Sequence, residues 1–147
     1  MQHYEGKMFK FLVFDSSKGL LAVDILNILE VINNPVLSPI PKNYNFVEGL
    51  INFRGSVVTV IDLLEKLYNV QTIFEEKFCV LIVKSENKNE RMMLGLKINS
   101  VKDVITLSSD KIKQQPEYGK NYNPDYYEGV INYKEQQILI FNTEVIF

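Results

Sequence analysis

The five residues Glu48-Gly49-Leu50-Ile51-Asn52 return, with one conservative change, as Glu128-Gly129-Val130-Ile131-Asn132. The frames agree well beyond the phrase. Phe53-Arg54-Gly55-Ser56-Val57-Val58-Thr59-Val60-Ile61 runs opposite Tyr133-Lys134-Glu135-Gln136-Gln137-Ile138-Leu139-Ile140-Phe141 at a constant offset of 80. Upstream, Ala22-Val23-Asp24-Ile25-Leu26-Asn27-Ile28-Leu29-Glu30-Val31-Ile32 matches Gly95-Leu96-Lys97-Ile98-Asn99-Ser100-Val101-Lys102-Asp103-Val104-Ile105 at an offset of 73. Two matches in the same order argue for one structural unit built twice, and such self-similarity constrains the fold before any single element does. Because the offset grows from 73 to 80, the second copy carries seven extra residues, which fall around Tyr118 to Pro124.

The local pattern says what kind of unit is repeated. Short runs of β-branched and aromatic residues dominate, with strands expected over 9–14, 20–24, 29–33, 46–53 and 57–61 in the first copy. The second copy offers 78–84, 92–98, 104–107, 127–134 and 138–142. Ile25 to Leu29 reads as a helical turn, and Asn34-Pro35 then breaks the chain. Ser38-Pro39-Ile40-Pro41 must be extended, since each proline pushes its predecessor out of the helix region. Residues 62–68 form a short amphipathic helix with Asp62 at its N-cap, where a carboxylate accepts orphan backbone N–H groups. Thr143 to Phe147 makes a terminal turn, and 114–124 is a long loop. About five short strands per copy predict an all-β fold of two small barrels that protect their edges by closure and share a buried seam. The expected lobes cover about 15–70 and 80–147, with the option that N-terminal strand residues are exchanged between them.

Composition narrows the function more than the fold. A chain of 147 residues with 46% hydrophobic and 23% charged residues can bury a real core. Its formal net charge of −2 lacks the Lys/Arg surplus that phosphate binding needs, so no nucleic-acid partner is expected. Small barrels can still stack single-stranded bases on exposed aromatics, and Tyr122, Tyr126 and Tyr127 are the residues that would do so. No apolar run approaches the roughly 20 residues that span a bilayer, so membrane association is expected only through a partner. Catalytic groupings are also missing. One histidine, His3, and one cysteine, Cys79, cannot supply a metal cluster or a nucleophile–base pair, and Cys79 reads as a small buried hydrophobe. Glu75-Glu76 falls between the halves and reads as solvated linker. These absences point to a binding protein without cofactor, metal or enzymatic activity.

Phe11-Leu12-Val13-Phe14, then Val23-Asp24-Ile25 with Ile28, Glu30 and Val31, then Phe46-Val47-Glu48-Gly49-Leu50-Ile51-Asn52-Phe53-Arg54-Gly55 closely resemble the CheW adaptor family of bacterial chemotaxis. The resemblance runs from about residue 8 to 147 and includes Gly95-Leu96, Val101, Asp103-Val104 and Pro116-Glu117-Tyr118. It implies a mainly β fold of two interlocking SH3-like five-stranded barrels. It also implies a non-catalytic, cytoplasmic adaptor that links the tips of methyl-accepting chemoreceptors to the histidine kinase CheA in membrane-associated arrays. By position, the receptor-facing set would be Ile28, Glu30, Gly49, Arg54, Val101 and Val104, with Glu30 and Arg54 as an ion pair. Kinase-ring contacts would fall at Lys113, Glu117 and Tyr118. The sequence departs from the family at Thr59, where proline is frequent, at Ser16-Ser17, and at Asn142, which replaces an aspartate and should weaken a cap. These departures allow a paralogue serving another receptor–kinase array, such as a pilus-motility system. The two copies differ most after the shared phrase, where only the first continues into an Arg-Gly turn.

Overall fold

The computed structural model describes residues 7–16, 19–41, 44–85, 92–114 and 123–147. Ten strands carry the fold: β1 (Met8–Ser16), β2 (Gly19–Asp24), β3 (Ile28–Asn33), β4 (Val47–Phe53), β5 (Ser56–Ile61), β6 (Cys79–Lys84), β7 (Met93–Ile98), β8 (Val101–Ser108), β9 (Tyr127–Tyr133) and β10 (Gln136–Phe141). One six-residue helix, α1 (Leu63–Tyr68), follows β5. The strand expected at 104–107 begins earlier, at Val101, because it continues the ladder with β1 as far as Phe14. The turn expected over 25–29 is a single 3-10 turn, Ile25–Asn27, capped by Asp24, whose carboxylate accepts the Leu26 N–H at 3.0 Å.

The strands form two five-stranded sheets with orders β8-β1-β2-β10-β9 and β3-β6-β7-β5-β4. Replacing each strand by its repeat mate, β1 by β6 through β5 by β10, turns the first order into the second. Each copy therefore places its opening hairpin in one sheet and its remaining three strands in the other. The sheets do not divide near residues 70–80: β6 and β7 join β3, β4 and β5, while β1 and β2 join the C-terminal strands. The crossing occurs where the Ile25–Asn27 turn leaves β2 for a strand in the other sheet.

Strand alternation then sorts side chains into three cores. In β1, Phe11 and Val13 face one barrel interior with Ala22, Ile131, Ile138 and Ile140. Leu12 and Phe14 face the opposite way, into the seam between the sheets. The second interior is built from Ile51, Phe53, Val58, Val60, Val80 and Ile82. The seam collects Leu12, Phe14, Val23 and Ile61 against Leu81, Val83, Leu96 and Phe141, so repeat mates meet across it. Burying each such side chain is worth about 1.5–3 kcal/mol, and this seam holds the halves together.

Each sheet also curls until its outer strands share one core. β3 and β4 are opposite edges of one sheet, yet Leu29 and Ile32 of β3 pack on the same core as Ile51 and Phe53 of β4. In the other sheet, Ile105 and Leu107 of β8 share a core with Ile131 and Tyr133 of β9. The architecture is thus the mainly β pair of SH3-like barrels that the repeat predicts.

Candidate functional site

The doubled phrase organises the edge of each barrel. Gly49 is buried, and a Cβ there would lie 2.8 Å from the Ser38 carbonyl oxygen, because the incoming segment pairs Ser38 with Leu50. Gly129 repeats this arrangement: a Cβ would lie 2.8 Å from Ile112 Cγ2 and 2.9 Å from the Lys113 carbonyl oxygen, where Lys113 pairs with Val130. Gly49 is therefore explained by close approach of its own chain, the reading in which a side chain would block backbone contact.

Past the phrase, Arg54 and Gly55 connect β4 to β5 with φ of 52° and 83°. Two left-handed residues make the tight turn whose twist matches a β-hairpin. The Asn52 side-chain oxygen accepts the Gly55 N–H at 3.2 Å. Lys134 and Glu135 form the same turn between β9 and β10, with φ of 47° and 68° and no glycine. The geometry is repeated where the residue types have diverged.

Arg54 lies 3.6 Å from Glu30 on β3, with side chains 68% and 47% exposed. A pair so open to water contributes under about 1 kcal/mol, so stability does not explain it. The guanidinium carbon sits 4.7 Å from the Phe53 ring centroid, which helps hold the charge at the barrel rim. Ile28 and Val101 are half-buried against the seam core, whereas Val104 is 50% exposed and so is not a core residue. The six receptor-facing candidates thus separate into a rim pair, Glu30 and Arg54, an apolar set on β3 and β8, and Gly49 beneath the Ser38 strap. Lys113 is exposed beside β9, while Glu117 and Tyr118 lie outside the described residues.

A second cluster had no signal in the repeat. Tyr68 at the end of α1 and Tyr127 at the start of β9 share a hydrogen bond between their hydroxyls. The Tyr126 ring meets Tyr68 edge-on at 5.6 Å. Burial pushes the pKa of the Tyr68 phenol above its ordinary value, and it pushes that of Tyr127 up further, with the shared hydrogen bond adding to the latter. Tyr126 and Tyr127 are packed against these neighbours, so they do not form an open stacking platform; Tyr122 lies outside the described residues. An adjoining groove of about 320 Å³ is lined by Leu20, Leu21, Leu64, Tyr68, Tyr127 and Leu139 among others, and by none of the six receptor-facing candidates.

The linker after α1 is strapped to the seam. Asp62, 1% exposed, accepts the N–H groups of Leu64, Glu65 and Thr72 at 3.2, 3.4 and 2.8 Å, and the Thr72 hydroxyl at 2.6 Å. Asn99 accepts the Glu75 N–H at 2.8 Å and donates to the Ile73 carbonyl at 3.1 Å. Carboxylate oxygens of Glu48, Asp62 and Glu65 lie within 4.8 Å of one another. Lys97 Nζ, 3.1 Å from Glu48 and over the rings of Phe74 and Phe78 at 4.3 and 4.4 Å, supplies the local positive charge. Cys79 is half-buried rather than fully buried, because it opens β6 opposite Asn33, to whose side-chain oxygen its thiol donates at 3.3 Å.

Comparison with known proteins fits this geometry. The family model described as CheW-like domain matches residues 10–147. The chemotaxis protein CheW of Klebsiella aerogenes is 25% identical over 135 residues, which is 92% of this chain and 79% of that protein. The chemotaxis protein CheW of Thermotoga maritima is 30% identical over 106 residues, or 72% of this chain and 67% of that protein. The crystal structure of the scaffolding protein TtCheW from Thermoanaerobacter tengcongensis superposes with a TM-score of 0.77 at 25% identity. The match covers 97% of this chain and 89% of that one.

Proposed function

Because this chain belongs to the CheW-like domain family, we propose that it is a non-catalytic adaptor coupling methyl-accepting chemoreceptors to the histidine kinase CheA in signalling arrays. The observation that carries the receptor side is the exposed Glu30–Arg54 pair at a barrel rim, on the strand that also bears Ile28 at the seam. An apolar strip flanked by a held charge pair suits a helix that lays its apolar face into a groove, with the charges setting orientation at the rim. Ile28, Glu30, Arg54, Val101 and Val104 meet the receptor; Gly49 shapes the strand beside them. Kinase contacts lie in the second barrel at Lys113, Glu117 and Tyr118. No helix among the described residues is long and apolar enough to cross a membrane, so the adaptor reaches the cytoplasmic arrays through these partners.

Arg54→Glu tests the receptor contact, since it places two carboxylates where a pair stood. Binding to a soluble chemoreceptor tip fragment should weaken about tenfold, with circular dichroism and binding to CheA unchanged. Unaltered receptor affinity in a correctly folded Arg54→Glu protein would remove the rim from the interface.

A further inference from the structure

The repeat equates two places that the chain fills differently. Ser16 pairs with Gly19 at the end of β1, and just past β6 the Ser85 N–H bonds the Met92 carbonyl at 3.0 Å, so Ser16 and Ser85 are mates. Leu64 of α1 and Glu144 of the terminal 3-10 turn, Thr143–Ile146, are mates at the offset of 80. In the second copy the chain bridges the gap itself. The Ser85 hydroxyl donates to the Glu144 carboxylate at 2.7 Å, and Ser85 is 8% exposed. In the first copy Leu64 carries no group that can accept such a bond. Ser16 is half-buried, and its hydroxyl donates to the Gly19 carbonyl of its own hairpin at 2.6 Å. Ser16 and Leu64 both line the groove of about 320 Å³, which opens where the parallel pairing of β2 with β10 ends at Leu21 and Leu139.

The walls of this groove select an occupant. Leu20, Leu21, Leu64 and Leu139 give it an aliphatic side, as small-molecule sites have. Ser16, Tyr68, Tyr127, Gln136 and Gln137 give it hydrogen-bonding groups, none of them charged. Burial holds both phenols protonated at neutral pH. The surroundings also exclude an anion of the Glu144 kind. Lys84 precedes Ser85, but Asp15 precedes Ser16 and lines an adjoining cleft together with Ser16 and Leu64. That cleft also holds Asp62, and the cation lining it, Lys97, is already 3.1 Å from Glu48. A carboxylate in the groove would lose water and face Asp15 with no cation to offset either cost.

We propose that this groove binds a small uncharged carbonyl compound with an aliphatic body, its oxygen accepting from Ser16 as the Glu144 carboxylate accepts from Ser85, and its body lying on the leucines. None of the six receptor-facing candidates lines the groove, nor does Lys113, so the site is separate from the adaptor surfaces and does not depend on them. The occupant would span α1 and the β2–β10 junction, close to the Tyr68–Tyr127 hydrogen bond that ties α1 to β9.

The test is an NMR titration of the isotope-labelled full chain with two probes, N-acetyl-leucinamide and the N-acetyl-leucine anion, which differ in charge at one end. The amide should shift the signals of Leu20, Leu21, Tyr127 and Leu139 with a Kd of about 1 mM, and the anion should bind about tenfold more weakly. Ser16→Ala should weaken the amide about threefold. Leu20→Trp fills the groove from a half-buried position, so the shifts should vanish while the melting temperature holds. Asp15→Lys supplies the cation that the second copy has at Lys84, so it should bring the anion level with the amide or tighter. Absence of saturable shifts in the parent at about ten times the expected Kd would overturn the proposal. Amide binding that survives Leu20→Trp would place the compound elsewhere and overturn it too. Equal affinity of the parent for both probes, or an unchanged preference in a folded Asp15→Lys protein, would overturn the uncharged class of the ligand.

Discussion

Gly49 and Gly129 occupy equivalent places, yet their backbones make them unequal targets. Gly49 combines a φ of 149° with a backbone oxygen 2.8 Å from any added Cβ, and the oxygen belongs to a paired segment that cannot easily retreat. Gly129 meets a paired backbone oxygen almost as closely, that of Lys113 at 2.9 Å, but its φ is not positive. Gly49→Ala should therefore destabilise by about 2–3 kcal/mol and Gly129→Ala by less, measurable as shifts in the urea midpoint. Equal losses would mean that the positive φ of Gly49 adds nothing to the cost of the close approach. Glu135 gives the opposite sign. It holds a φ of 68° on an exposed turn, so Glu135→Gly should stabilise by up to about 1 kcal/mol, read from the same midpoints.

The hairpins and the capped turns show which elements could be read before their geometry was known. Asp62 was legible as an N-cap because a short polar residue precedes an amphipathic run, and the carboxylate does cap α1. Its counterpart Asn142, expected to weaken the second cap, accepts one N–H, that of Glu144 at 3.0 Å, where Asp62 accepts two from α1. What the pattern did not disclose is the second duty of Asp62, the clamp on Thr72, because nothing local links positions ten residues apart. Likewise the Arg54-Gly55 turn was legible from its glycine, while Lys134-Glu135 adopts the same turn with no glycine to announce it. Asp62→Ala removes four accepted hydrogen bonds at a site 1% exposed. It should cost about 3 kcal/mol, whereas Asn142→Ala should cost about 1. Differential scanning calorimetry of both variants compares them directly, and similar losses would show the linker clamp to be energetically idle.

At the scale of the whole molecule, the repeat made two five-stranded barrels legible, with exchange of N-terminal strand residues left as an option, but it did not say which strands share a sheet. Consecutive strands usually pair, so the first copy read naturally as one lobe, whereas β2 and β3 belong to different sheets. Strand-to-sheet assignment depends on side chains that meet only across the seam, and periodicity within a strand carries no record of that partner. The same holds for Tyr68 and Tyr127, which tie α1 to β9 and lie 59 residues apart. Their phenols provide a stability probe specific to this junction. Burial raises both above the ordinary value of 10.0, more so for Tyr127. In the unfolded chain they ionise near pH 10, so above that pH the unfolded state has released protons that the folded state still holds. Their contribution is therefore complete below about pH 10 and declines as pH rises through the alkaline range. Tyr127→Phe loses about 1 kcal/mol at pH 7 with its hydrogen bond, but it also removes the more strongly shifted phenol, so its stability should fall less steeply than the parent's above pH 10. Urea midpoints taken from pH 7 to pH 11 measure both quantities. An alkaline slope equal to the parent's would locate the proton-linked unfolding elsewhere and leave the tyrosine pair as packing alone.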